Sequence, residues 1–202
     1  MYPVSLRRGA GAVNTSLQIY LYRNQLQLTT PDAFYSDGHR YRPAVDAVNH
    51  LKSFLPTVKD VLVLGTGLGS MVQVLRHKGF SPRFTLVEYD KTVLEWAIEF
   101  LAPLRANLEP VCMDAQLYMG RNTHKYDLIF VDVFNGRVVP AFVTSAQFLA
   151  QCRNSLAPGG RLILNYIIND PRQWDEVAAA FAILFPIHQV LEIQVNRILI
   201  SG

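Results

Sequence analysis

Short apolar runs alternate with segments of helical spacing through most of the chain. The runs are continuous, as expected of strands buried on both faces of a parallel sheet, and apolar residues between them recur at helical intervals. The pattern predicts strands at residues 61–64, 84–87, 108–113, 128–131 and 161–166. It predicts helices at residues 44–55, 91–101, 144–156 and 174–184, and another that follows the Gly65 turn and runs to about His77. Alternation of this kind predicts a doubly wound α/β sheet.

Both ends of the chain have strand character instead. Residues 17–22 and 25–29 alternate around Arg23-Asn24, which predicts a β-hairpin, and residues 187–194 and 197–200 predict a second pair of adjacent strands. Pro158-Gly159-Gly160 predicts a break between a helix and a strand. We therefore expect an N-terminal β-hairpin region over residues 1–45 and a Rossmann-like domain over residues 46–202.

Composition narrows the functional classes. Half of the 202 residues are hydrophobic and 17% are charged, which excludes a disordered chain and indicates a large core or an oligomer interface. A net charge of +3 without a dense basic stripe makes nucleic-acid binding unexpected. The isolated cysteines, Cys112 and Cys152, predict free thiols in a reducing compartment. No signal peptide, membrane span or metal-ligand spacing is recognisable, so the sequence predicts a cytoplasmic protein without a metal site.

A glycine-rich turn follows the first strand of the alternating region. Gly65, Gly67 and Gly69 form a GxGxG loop, where glycines permit a sharp turn and let backbone amides approach a ligand. Ser70 stands where a dinucleotide fingerprint requires glycine or alanine. The loop alone leaves two interpretations open, a nucleoside site and an ordinary strand–helix turn.

Acidic residues end the next two strands. Glu88 lies 21 residues after Gly67, at a position where a carboxylate can accept both ribose hydroxyl groups of a nucleoside. Tyr89 either covers an adenine face or packs against the following helix. Asp114 either accepts the adenine amino group, with Ala115 in apolar contact, or caps a helix that begins near Ala115, and both roles can coexist. Together the three strand ends predict a site for an S-adenosylmethionine-type nucleoside.

At this point the sequence resembles the spermidine synthase family of aminopropyltransferases. The resemblance rests on the segments 86–90, 126–132 and 156–160 and on the Q-x-T-x-x-D pattern from Gln27 to Asp32. It implies a seven-stranded methyltransferase fold with an N-terminal hairpin region, a homodimer, and a catalytic Asp132. The implied donor is S-adenosylmethionine or its decarboxylated form, and the implied acceptor is a small-molecule amine.

Three departures from the family pattern affect the acceptor. Leu68 replaces the loop aspartate that holds the amine end of the decarboxylated donor, Asn135 replaces the second acid after Asp132, and no Tyr-His-Glu follows Asp32. We expect Gln27, Tyr35 and Asn135 to contact the acceptor. The aromatic residues nearby either line an acceptor pocket or pack the hairpin and core, and they are Tyr20, Tyr22, Phe34, Tyr35, Tyr41 and Phe134.

These residues suit transfer of an alkyl group from a sulfonium carbon to an amine. Such a reaction needs both partners held in line and a carboxylate that takes a proton from the amine, for which Asp132 is the candidate unless it only caps a loop. The leading hypothesis is a spermidine synthase-like transferase of polyamine biosynthesis that moves an aminopropyl or methyl group. The alternatives are a methyltransferase proper, a non-catalytic nucleoside-binding homologue and, more distantly, a nicotinamide oxidoreductase.

Overall fold

The N-terminal region forms a four-stranded antiparallel sheet. A computed structural model describes residues 2–11, 15–31 and 34–202, with Phe34 described by its backbone alone. The sheet has the order β1-β2-β3-β4, and its strands are β1 Val4–Gly9, β2 Leu17–Tyr22, β3 Gln25–Thr29 and β4 Phe34–Ser36. The predicted hairpin is confirmed as β2 and β3, and its turn residues Arg23 and Asn24 have φ angles of 50° and 61°. Positive φ at both central residues is typical of the tight turns that join antiparallel strands.

A seven-stranded sheet forms the rest of the framework. Its order is β10-β11-β9-β8-β5-β6-β7, and β11 runs antiparallel to both of its neighbours. The strands are β5 Asp60–Leu64, β6 Arg83–Glu88, β7 Leu108–Cys112, β8 Tyr126–Val131, β9 Leu156–Ile167, β10 His188–Ile193 and β11 Asn196–Ser201. This arrangement confirms the predicted Rossmann-like seven-stranded fold with a small N-terminal sheet. The strands β1 and β4 were not among the predicted elements.

Six α-helices accompany the strands in the part of the chain that the structure describes. They are α1 Arg42–His50, α2 Ser70–His77, α3 Lys91–Phe100, α4 Ala115–Arg121, α5 Ala146–Ser155 and α6 Pro171–Leu184. Short 3₁₀ segments cover Gly38–Arg40, Leu55–Thr57, Ala102–Asn107 and Ala141–Thr144. The helix predicted over residues 44–55 ends five residues early, at His50, and Pro56, which has no N–H, lies in the 3₁₀ turn beyond it.

The predicted break at Pro158-Gly159-Gly160 has a different form from the one expected. Helix α5 ends at Ser155 and β9 begins directly at Leu156. Tyr126 pairs with Leu156 but Leu128 pairs with Arg161, so the residues between them bulge out of the strand. Gly159, with φ of 76°, supplies the left-handed conformation that the bulge requires.

Alternate residues of β5 enter two different cores. Val61 and Val63 pack into the cluster beneath α1 and α2, whereas Leu62 and Leu64 pack into the cluster beneath α4, α5 and α6. Burial on both faces explains why this strand is continuously apolar. The domain boundary proposed between residues 45 and 46 falls within α1, whose buried residues belong to the first of these clusters.

The N-terminal sheet packs against the loop that follows β5 and against α3. A third cluster joins strand residues of the small sheet to residues of the larger domain, and its buried members are Leu17, Ile19, Leu28, Leu68, Val93 and Trp96. Arg7 of β1 adds an ion pair of 2.7 Å to Glu99 of α3. This contact brings β3 and β4 over the carboxyl ends of the parallel strands.

Candidate active site

A cavity of about 820 Å³ lies between the carboxyl ends of the parallel strands and the N-terminal sheet. Parallel α/β sheets bind ligands at this edge, because the loops there diverge to either side of the sheet. The predicted site residues that line the cavity are Gly65, Gly67, Glu88, Tyr89, Asp114, Ala115, Asp132, Gln27, Tyr35 and Asn135. Residues from both regions of the chain therefore face one space, which is large enough for a nucleoside with a second small molecule.

The first two glycines of the loop are required by close backbone contacts. Gly65 has φ of 82°, and a Cβ there would collide with the carbonyl oxygen of Asp132. Gly67 has φ of 52°, and a Cβ would lie 3.0 Å from the carbonyl oxygen of Tyr35. Gly69 is not part of the cavity wall. It precedes α2 and faces the side chain of Leu101, so its place in the structure is in the turn behind the cavity.

Glu88 is held by backbone amides on both of its oxygens. Oε2 accepts a hydrogen bond of 3.2 Å from the Gly67 N–H, and Oε1 accepts one of 3.1 Å from the Asp90 N–H. Burial raises the pKa of this carboxyl, and these backbone bonds oppose the rise. A carboxylate oxygen has a lone pair left after one such bond, so both oxygens retain capacity to accept ribose hydroxyl groups.

The residues at the expected adenine position have two roles, which are capping of helices and lining of the cavity. Oδ1 of Asp90 accepts from the N–H groups of Thr92 and Val93 and so caps α3. Oδ1 of Asp114 accepts from the N–H of Leu117 at 3.0 Å, which confirms the capping role of Asp114 at α4. Tyr89 is 55% exposed at the cavity edge. The adenine contacts of Asp114 and Tyr89 stay predictions.

Asp132 directly follows β8 and lies in a network of buried and partly buried polar side chains. Its Oδ1 accepts from the hydroxyl of Tyr41 at 3.0 Å and from Nδ2 of Asn165 at 2.7 Å. Asn165 in turn accepts a bond of 2.8 Å from Nδ2 of Asn196 on β11. Among the described residues no hydrogen bond reaches Oδ2 of Asp132, so this oxygen is available to a ligand.

Burial and the hydrogen bonds of this network act in opposite directions on the pKa of Asp132. Burial raises the pKa of Asp132 from 3.8 to about 7, the bonds from Asn165 and Tyr41 lower it, and the charge of Glu88 raises it further. The pKa of Tyr41 is well above its usual value because the hydroxyl is buried beside Asp132. A carboxyl with a pKa near neutrality is a better proton acceptor than an ordinary aspartate, which fits a general base.

Most of this network was not predicted from the sequence. Tyr41 was predicted only as an aromatic residue near an acceptor, and Asn165 and Asn196 were not predicted. One signal was present, because Asn165 interrupts the apolar run of β9 and is 1% exposed. A buried amide in an apolar strand needs hydrogen-bond partners. Those of Asn165 include Asp132, directly after β8, and Asn196, at the start of β11.

Hydrogen bonds hold the predicted acceptor residues, and the bond of Tyr35 joins the two regions. The Tyr35 hydroxyl accepts a bond of 2.7 Å from the Gly136 N–H, and Gln27 donates one of 2.8 Å to Asp37. Asn135 is exposed in a tight turn that its backbone closes with Val138. Tyr41 and Phe134 line the cavity, whereas Tyr20 and Tyr22 are not part of its wall. Asp32 and the Phe34 side chain lie outside the described residues.

Leu68 does not face the cavity at all. Its side chain is 0% exposed and packs in the cluster between the N-terminal sheet and α3. Leucine at this loop position therefore stabilises the contact between the two regions. The loop offers no side-chain charge at this point to a donor.

The described residues contain no group of three or more histidine, cysteine or acidic side chains that could hold a metal ion. No helix in the same ranges combines the length and apolar character that crossing a membrane requires.

Comparison with known proteins assigns the fold to a family. The model of the spermine/spermidine synthase domain matches residues 45–171. The chain belongs to this family. A polyamine aminopropyltransferase of Vibrio vulnificus is 27% identical to this family member over 136 residues, which are 65% of this chain and 45% of the relative. The chain spans less than half the length of two curated aminopropyltransferases that it matches.

Solved structures include relatives of two kinds. A probable spermidine synthase from Corynebacterium glutamicum has a TM-score of 0.78 and 18% identity, with 100% of this chain and 80% of that chain covered. Human methyltransferase-like protein 13, solved with S-adenosylhomocysteine (SAH), has a TM-score of 0.65 and 26% identity, with 81% of each chain covered. The first likeness establishes the fold, and both confirm that this spermidine synthase-family chain is built on the methyltransferase framework.

Proposed function

We propose that this domain transfers an alkyl group, aminopropyl or methyl, from an S-adenosylmethionine-type sulfonium nucleoside to a small-molecule amine. One observation carries the proposal. Asp132, with a pKa raised to about 7, lies in the same cavity as the ribose-binding candidate Glu88 and has one oxygen without a protein partner among the described residues. The alkyl transferases among the relatives give the reaction class.

The reaction requires the protein to position the nucleoside and the amine and to accept a proton. The bound nucleoside supplies an electrophilic carbon on a positively charged sulfur that leaves as a neutral thioether. Glu88 and the Gly67 backbone hold the ribose, and the loop at Gly65 places the sulfur end near Asp132. Asp132 takes the proton from the amine, whose nitrogen lone pair forms the new N–C bond as the C–S bond breaks. Tyr41 and Asn165 hold the Asp132 carboxylate in place by donating to Oδ1.

Methyl transfer is the second candidate, and the burial of Leu68 favours it. An aminopropyl donor ends in an ammonium group that a nearby carboxylate stabilises, and the glycine loop provides none because Leu68 points into the core. S-adenosylmethionine carries a carboxylate beside its ammonium group and depends less on such an acid.

Product analysis distinguishes the two candidates. The purified protein is incubated with a diamine and either decarboxylated S-adenosylmethionine or S-adenosylmethionine. Aminopropyl transfer releases methylthioadenosine, methyl transfer releases S-adenosylhomocysteine, and mass spectrometry separates these nucleosides. Asp132→Asn is the matched control for non-enzymatic transfer. Nucleoside binding without either product, over a range of amines, would reject catalysis and leave the non-catalytic homologue.

We also propose that the protein is a homodimer and works in the cytoplasm. An exposed apolar strip on the N-terminal sheet supports dimerisation, with Val4 and Leu6 57% and 51% exposed on β1 and Leu21 opposite Val4 on β2. The two cysteines are free thiols, as a reducing compartment requires.

A further inference from the structure

The charges that line the cavity are unevenly distributed. Glu88, Asp90 and Asp114 belong to the nucleoside end, where they bind backbone amides or cap helices. The cavity wall also carries three cations that belong to neither the ribose site nor the Asp132 network. They are Arg40, Arg42 and Arg137, all part of the cavity wall, and we call them the arginine rim.

The arginine rim is anchored to the reacting centre by the backbone. Arg40 and Arg42 flank Tyr41, whose hydroxyl touches Asp132. Arg137 follows Gly136, whose N–H donates to Tyr35, and the Arg137 carbonyl accepts a bond of 3.1 Å from Asn169. The segments that bear the rim are therefore fixed relative to Asp132. Arg40, Arg42 and Arg137 are part of the same cavity wall as Asp132.

Two arginines of the rim have no acidic partner among the described residues. Arg42 pairs with Asp46 at 2.8 Å. Arg40 and Arg137 form no ion pair with any described residue. Among the described residues of the N-terminal region, Asp37 is the acid in the cavity wall, and it keeps its negative charge because its hydrogen-bond donor, Gln27, is neutral. At the turn beyond Asp132, Asn135 is uncharged. The two arginines without an ion pair outnumber the one carboxylate of Asp37, so this part of the cavity suits an anion better than a second ammonium group.

We infer that the arginine rim binds the carboxylate of a ligand whose reacting atom lies at Asp132. The inference rests on the proposed function, since it names the chemistry of one substrate of that reaction. The carboxylate has two possible sources. It belongs either to the donor, as in S-adenosylmethionine but not its decarboxylated form, or to the acceptor, as in an amino acid but not a diamine. Arginine recognises carboxylates through paired N–H donors. The rim should therefore bind a ligand that ends in a carboxylate more tightly than one that ends in an uncharged or cationic group.

Two arms of a calorimetric titration separate the sources. The donor arm compares S-adenosylmethionine with decarboxylated S-adenosylmethionine, and methylthioadenosine serves as the reference that lacks both end groups. The acceptor arm saturates the protein with methylthioadenosine and then compares 4-aminobutyrate with putrescine, which differ in a carboxylate against an ammonium group. Each arm is repeated on Arg40→Gln and Arg137→Gln. Arg105→Gln, an exposed arginine outside the cavity wall, is the matched control.

The expected result is selective. In at least one arm the carboxylate-bearing ligand binds more tightly than its decarboxylated or cationic counterpart. Arg40→Gln or Arg137→Gln weakens that ligand about tenfold, the magnitude of one hydrogen bond to a charged group. The loss shrinks as salt is added, because the rim is exposed and its field is screened. Methylthioadenosine affinity stays unchanged in these variants, which shows that they are folded, and Arg105→Gln behaves as the parent protein.

The remaining outcomes overturn the inference in distinguishable ways. If methylthioadenosine binds but neither arm shows a carboxylate preference, or the preference survives in both rim variants, the inference is wrong and the proposed function stands. If none of the nucleosides binds, the proposed function is wrong and the inference falls with it.

Discussion

The hydroxyl of Tyr41 donates a hydrogen bond of 3.0 Å to Oδ1 of Asp132, across 91 residues of sequence. The bond joins the segment before α1 to the end of β8, so the N-terminal region takes part in setting the charge of the candidate base. It favours the ionised carboxylate, whereas burial favours the protonated form. The balance of these two effects gives Asp132 a pKa of about 7.

Removing the Tyr41 hydroxyl should move the pH profile. Tyr41→Phe deletes a donor to the ionised form, so the pKa of Asp132 should rise above its value of about 7. The acid limb of the rate–pH profile then shifts upward by roughly half to one pH unit, since such a bond contributes about 0.5–1.5 kcal/mol. Tyr20→Phe, whose hydroxyl bonds to Gln18 outside the cavity, is the control. A profile that does not move would separate Tyr41 from the base.

Replacement of the base should affect turnover and stability differently. Asp132→Asn should lower turnover by roughly 10²–10⁴-fold while methylthioadenosine affinity is retained. Because the pKa of Asp132 is raised from 3.8 to about 7, the native protein holds a proton there that the unfolded chain has lost. The free energy of unfolding of the parent protein therefore falls as pH rises through this window.

Asp132→Asn removes that pH-dependent loss. Relative to the parent, the variant should be more stable at about pH 8 than at about pH 4, by at most roughly 4 kcal/mol. Denaturant unfolding of both proteins at the two pH values measures the difference. Equal pH dependence in the two proteins would mean that Asp132 titrates as an ordinary surface carboxyl.

The parts of the site that the sequence predicted are those with local signals. Gly65, Gly67 and Asp132 follow apolar strands and Glu88 ends one, and the carboxyl ends of parallel strands meet at one edge of a sheet. Contacts between distant segments leave no such local pattern. Nothing in the neighbourhood of Tyr41 specifies a partner 91 residues away.

The strand β1 was not predicted from the sequence, for a related reason. β1 contains Arg7 and Arg8, is largely exposed, and pairs with β2 along one edge alone. An edge strand of this kind buries too little apolar surface to impose the alternation by which strands are recognised. It is held instead by backbone pairing and by the ion pair between Arg7 and Glu99, neither of which has a sequence signature.

Glu88 should affect both the affinity for the nucleoside and the pKa of Asp132. Glu88→Gln keeps the size of the side chain but removes the charged acceptor, and methylthioadenosine affinity should fall at least tenfold, since each bond to a charged group contributes about 1.5–3 kcal/mol. The Glu88 charge raises the pKa of Asp132, so that pKa should fall in the variant, as carboxyl NMR titration measures. Glu95→Gln, on the exposed face of α3, is the control and should change neither quantity.

The proposed dimer has a direct test on the N-terminal sheet. Light scattering should give twice the chain mass of 22.8 kDa. Lysine at both Val4 and Leu6 should convert the dimer to a monomer, because charges on the apolar strip oppose its burial. Ile183→Lys, at a separate residue that is 79% exposed, should leave the mass unchanged. A monomer mass for the parent protein at every concentration would reject the dimer.

Restoring an acid to the glycine loop should fail for a structural reason. If Leu68 lay at the donor site, Leu68→Asp would improve binding of decarboxylated S-adenosylmethionine. Its side chain is instead fully buried among Leu17, Ile19 and Trp96. An unpaired carboxylate there should lower the free energy of unfolding by about 3 kcal/mol or more, and detach the N-terminal sheet before it helps a ligand. Leu68→Ala separates lost packing from buried charge, because it removes the same contacts without a charge. Thermal unfolding and donor titration of both variants decide the point: a stable Leu68→Asp protein that binds the decarboxylated donor more tightly would show that the loop can turn this side chain into the cavity.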